Sequence, residues 1–161
     1  MELPQDQDAH LIRRVIQPGL MGLMDGSVST LAPLFAAAFA THNNHVAFLI
    51  GLSAAAGAGI SMAFAEGLSD DGVLTGRGHT FMRGTITGAM TFIGGIFHTL
   101  PFLSSKFHMA LLWAYLIVGI ELYTIALIRY KFMKMNFWLS ILQVVVGGAL
   151  VFLSGYLIGS S

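Results

Sequence analysis

Five apolar stretches of about 20 residues, separated by short polar turns, account for most of this 161-residue chain. A stretch of that length is what an α-helix needs to cross the roughly 30 Å of hydrocarbon in a bilayer. They cover 19–41, 46–67, 84–103, 107–128 and 137–159. Lipid offers no partner for backbone N–H and C=O groups, so segments of this kind must be helices that satisfy themselves internally. Only 10% of the residues are charged, against about 25% in soluble domains, and the mean hydropathy is +0.75. The expected fold is therefore an all-α integral membrane protein with five transmembrane helices over residues 18–161, preceded by a polar segment, 1–17.

The same composition excludes several classes of function. A formal net charge of zero argues against a nucleic-acid surface. The absence of cysteine removes disulfides, zinc–thiolate sites and thiol catalysis. An enzyme is not expected. The first residues carry acids (Glu2, Asp6, Asp8) and no basic run leading into a short apolar one, so a signal peptide is not expected there. A partly helical segment at the membrane interface is expected instead.

Seven of the eight Lys and Arg residues (Arg13, Arg14, Arg77, Arg83, Arg129, Lys131, Lys134) fall on one side of the five-span arrangement, and Lys106 alone on the other. The positive-inside rule then places the N-terminus in the cytoplasm and the C-terminus outside. A multi-pass membrane protein is expected.

Ionisable groups at membrane depth are costly, and each is a functional-site candidate. The first span holds Met24 and Asp25 among small and hydroxyl residues, and Pro33 further along. A proline there removes one helical hydrogen bond and frees a carbonyl. On the second span Met62, Glu66 and Asp70 are spaced i, i+4, i+8 and share one helix face, with Asp71 beside them. Carboxylates suit hard and borderline divalent cations, and thioether sulfur adds a preference for transition metals. The set fits Fe²⁺, with Mn²⁺ and Co²⁺ as alternatives. Each residue also has a plainer reading: methionine as packing, Asp25 as a cap or ion-pair member, Glu66 snorkelling to water, and Asp70-Asp71-Gly72 as a solvated turn. Glu121, near the centre of the fourth span, and His98, in the third, are candidates for proton coupling, with structural pairing as the alternative.

Asp25-Gly26-Ser27-Val28-Ser29-Thr30-Leu31-Ala32-Pro33, Gly57-Ala58-Gly59-Ile60-Ser61-Met62, Asp70-Asp71-Gly72 and Gly76-Arg77-Gly78 together resemble the vacuolar iron transporter family. The likeness extends in particular to the membrane half of bacterial membrane-bound ferritins, which join a ferritin-like domain to such a transporter. It covers nearly the whole chain from Gln17 onward. The resemblance implies a five-span homodimer in a bacterial inner membrane that moves Fe²⁺ out of the cytosol in exchange for protons, with Asp25 and Met62 lining the pathway. Two features depart from the family. Ala54 stands where eukaryotic vacuolar members carry a Glu. Those members also insert a Glu-rich metal-binding helical domain between the second and third spans, where this chain has a short loop. Gathering metal would then fall to Glu66, Asp70 and Asp71, or to a partner such as a ferritin-like protein. The N-terminal segment has no Glu-x-x-His pair of the kind a di-iron bundle uses, so iron oxidation is not expected.

The leading expectation is thus a homodimeric exporter of Fe²⁺, with no permanently bound cofactor. Its rivals are a non-transporting membrane scaffold that docks an iron-storage partner, and a passive proton or cation pore.

Overall fold

Three of the helix starts coincide with side chains that satisfy free backbone N–H groups. In the computed structural model, which describes residues 9–69, 71–72 and 75–161, the Asn43 carboxamide oxygen accepts from the N–H groups of His45 and Val46. Asn136 does the same for Leu139, and the His79 ring accepts from Phe81. The helices that result are α1 (Ala9–Thr41), α2 (Asn44–Gly67), α3 (Thr80–Phe97), α4 (Phe107–Met133) and α5 (Phe137–Gly159). A 3-10 turn at Leu100–Leu103 joins α3 to α4. The described residues are all-helical, and α1, α2, α4 and α5 are long and apolar enough to cross a membrane.

Several boundaries differ from the sequence reading; the fourth helix, for one, runs past the expected end at 128 to Met133 and takes in Arg129 and Lys131. The first helix does not begin near Gly19; it runs back to Ala9 through a π-helical turn at Ile12–Ile16. There the Gln17 N–H bonds to the Ile12 carbonyl, five residues back. Pro18, which has no N–H of its own, follows directly. The stretch expected as one span over 84–103 is broken: α3 stops at Phe97, and His98 and Thr99 lead into the 3-10 turn. Arg83, counted as a loop charge, lies inside α3 and is fully buried.

Helix α3 is the packing centre, set between α1 and α2. Helices in lipid gain little from apolar contact with one another, so close backbone approach matters more. Gly22 and Gly26 of α1 lie on the backbone of Thr87 and Thr91 of α3, and a side-chain carbon at Gly26 would collide with the Thr91 carbonyl. On the other side Gly84 and Gly88 meet α2 at Ala63 and Gly59. The half of α1 that follows Thr30 packs on α5, where Gly155 and Gly159 lie against Ala32 and Ala36. One apolar cluster joins Leu31, Leu34 and Phe35 to Phe102, Ala110 and Ala114; a second joins Leu20 and Leu23 to Ile125 and Val144. Large apolar side chains such as Leu112, Trp138, Leu150 and Ile158 point outward from α4 and α5.

Candidate functional site

Pro33 shapes the middle of α1. Its missing N–H leaves the Ser29 carbonyl without its helical donor, and α1 is interrupted at Thr30 before resuming over Leu31–Thr41. The Thr30 hydroxyl donates to the Gly26 carbonyl at 2.8 Å, bracing the break. With Gly22 and Gly26 seated on α3, the neighbouring face of α1 turns outward. Met21 and Ser29 are exposed on it, and Asp25 is half-exposed. The Asp25 carboxylate makes no hydrogen bond or ion pair among the described residues.

Met62 is half-buried on α2, one residue before Ala63, which abuts Gly84 and Gly88. Asp25 precedes Gly26, which abuts Thr91. The two candidate ligands therefore stand within about two turns of each other along α3, on helices that flank it and also touch directly. Met24 points elsewhere. It packs against the Leu20, Leu23, Ile125 and Val144 cluster, the ordinary use of a flexible thioether.

Glu66 occupies a different setting from the open face that the i, i+4, i+8 spacing suggested. It is buried, and its Oε1 accepts from Arg77 Nη2 at 2.7 Å and from Arg83 Nε at 2.9 Å. Arg83 also donates to the Glu66 carbonyl, to Ser69 Oγ and to the Gly78 carbonyl. A cation recruited by Glu66 would have to displace two guanidinium groups. Asp71 is exposed in the same loop and is itself engaged in an interaction there. Asp70 lies outside the described residues. Gly72 and Gly78, both at positive φ, turn the loop back so that these arginines reach α2. The glycines are legible in the sequence as loop punctuation; that Arg77 and Arg83 close on Glu66 is not.

A second polar group is buried between α1, the end of α3 and α4. His98 Nδ1 lies 3.0 Å from Glu121 Oε2, and His98 Nε2 lies 2.8 Å from Thr30 Oγ1. His98, Thr30 and Ser27 are fully buried and Glu121 is almost so. Ser27 Oγ and Glu121 Oε1 are buried without a hydrogen-bond partner among the described residues. Glu121 and His98, named separately from the sequence, form one pair; Thr30 and Ser27 were not singled out. No three His, Asp or Glu side chains converge into a metal cage among the described residues.

The described residues are all-helical, and four helices are long and apolar enough to cross a membrane, which makes this a membrane protein with carboxylates on its apolar helices. No protein-family model, no curated protein and no solved structure matches the chain.

Proposed function

We propose that the chain is the subunit of a homodimeric five-span transporter that exports Fe²⁺ from the cytosol, with Mn²⁺ as a second cargo, in exchange for protons. The N-terminus is cytoplasmic and the C-terminus external. Helix α3 and the 3-10 turn after it together make the remaining crossing.

The observation that carries this reading is the Asp25 carboxylate. It is half-exposed and unpartnered on a helix apolar enough to span the bilayer. A bare carboxylate facing lipid is strongly unfavourable. An outward face carrying Met21, Asp25 and Ser29 is therefore one that a second copy covers, bringing two Asp25 carboxylates together. The Ser29 carbonyl freed by Pro33 adds an oxygen one turn away, and Met62 adds sulfur from α2. Oxygen with thioether is a donor set for a borderline divalent ion rather than for calcium or magnesium. The resemblance to vacuolar iron transporters supplies the direction of transport and the proton exchange.

Anaerobic calorimetry of Fe²⁺ binding to the purified protein tests the site. The wild type binds and Asp25→Ala does not, while both elute at the same dimeric size. Undiminished binding by Asp25→Ala overturns the assignment.

A further inference from the structure

The buried group at His98 holds a proton whose position follows from hydrogen-bond accounting. The Thr30 hydroxyl has one proton, and it is committed to the Gly26 carbonyl, which can only accept. Toward His98 Nε2, Thr30 must therefore accept, so Nε2 carries a hydrogen. The contact between His98 Nδ1 and Glu121 Oε2 then contains one proton, on the imidazole or on the carboxyl. Without it, two lone pairs would face each other at 3.0 Å, so this close contact marks the proton-loaded form and the pair must separate when the proton leaves.

The geometry points to this shared proton as the one that is exchanged for metal. The inference rests on the proposed exchange and deepens it by naming the carrier. In the loaded state the proton sits between Nδ1 and Oε2 and the pair is neutral overall. On release the Oε2–H (or Nδ1–H) bond breaks, the proton passes to water on the cytosolic side, and Glu121 is left as a carboxylate. Reloading forms the same bond with a proton taken from the external side. The second carboxylate oxygen, Glu121 Oε1, is buried and takes no part in the contact with His98.

Other charges are poorly placed for this task. On α3 Arg83 lies fifteen residues before His98, about 22 Å along a helix, and is paired with Glu66 of α2. Helix α5 offers Tyr156 as its sole ionisable side chain, and the 3-10 turn offers none. On α4 Arg129 is bonded to Gln143. Asp25 of α1 is the remaining acid at this depth. Its helix is linked to the pair through Thr30, which sits at the break in α1 and touches both the Gly26 carbonyl and His98. That contact ties proton occupancy to the helix segment that carries Asp25.

The chain has three glutamates, Glu2, Glu66 and Glu121, so isotope-labelled glutamate makes the test possible without any substitution. Infrared difference spectra of the labelled wild type across a pH jump are expected to show a protonated carboxyl band of a buried glutamic acid that interconverts with carboxylate. The band should vanish in Glu121→Gln and shift in His98→Gln. It should also respond when Fe²⁺ is added at constant pH. A wild type with no label-sensitive carboxyl band, or a band unchanged in folded Glu121→Gln, overturns the inference. If Glu121→Gln does not fold, an unshifted band in His98→Gln overturns it equally. A band that obeys pH and both variants but ignores bound Fe²⁺ leaves a proton site and removes its role in exchange. Failure of the wild type to bind Fe²⁺ at all instead removes the proposed transport function.

Discussion

Arg83 and Glu66 form a buried ion pair, 2.9 Å from guanidinium nitrogen to carboxylate oxygen, that joins the start of α3 to the end of α2. Arg77 donates to the same oxygen at 2.7 Å. One carboxylate thus anchors two cations, Arg77 from the loop between α2 and α3 and Arg83 from α3 itself.

Removing that carboxylate leaves a fully buried guanidinium without its counter-charge. Breaking a buried pair in this way costs about 3–5 kcal/mol. Glu66→Ala is expected to lower the thermal unfolding midpoint in detergent strongly, and Glu66→Gln less so. A Glu66→Ala protein with the wild-type midpoint would argue for an open, metal-facing Glu66 instead.

Gly26 sets the rotation of α1 by resting on the Thr91 carbonyl. Gly26→Ala forces the helices apart, and overpacking of this kind costs about 1–3 kcal/mol. Because Asp25 is adjacent, the same change should weaken Fe²⁺ binding at least tenfold although no ligand is removed. Calorimetry beside an unfolding curve separates the two effects; unchanged affinity would mean that the seat of α1 on α3 does not position Asp25.

Pro33 frees the Ser29 carbonyl. Pro33→Ala restores a helical hydrogen bond, worth about 0.5–1.5 kcal/mol net, and removes an oxygen from the proposed pathway. The expected outcome is a more stable protein that moves metal more slowly. Transport at the wild-type rate would show that the break in α1 serves packing alone.

The dimer proposal is open to cross-linking, since the chain has no cysteine of its own. Ser29→Cys should join two subunits under mild oxidation, whereas Leu150→Cys, on the outward face of α5, should not. The reverse pattern would place the subunit contact on α5.

Much of the helical layout was legible in the sequence. The expected stretches 46–67 and 137–159 nearly coincide with α2 and α5, because length, apolarity and the Asn43 and Asn136 caps are local properties. What was not legible depends on distant partners. Arg83 read as a loop charge because nothing near it in sequence shows that Gly72 and Gly78 turn the chain back toward Glu66. Glu121 and His98 were visible as misfits in apolar stretches, but that they meet is a matter of packing across 23 positions. Met24 and Met62 look alike in sequence, yet Met24 packs into an apolar cluster.

The central claim is that metal crosses the bilayer past Asp25 in exchange for protons. Its most direct test is Fe²⁺ uptake into sealed liposomes holding the purified dimer and an internal pH dye, for wild type and Asp25→Ala. The account predicts metal entry with opposite proton movement in the wild type and neither in the variant. Equal metal flux through Asp25→Ala, or a wild type that leaks protons without moving metal, would contradict it.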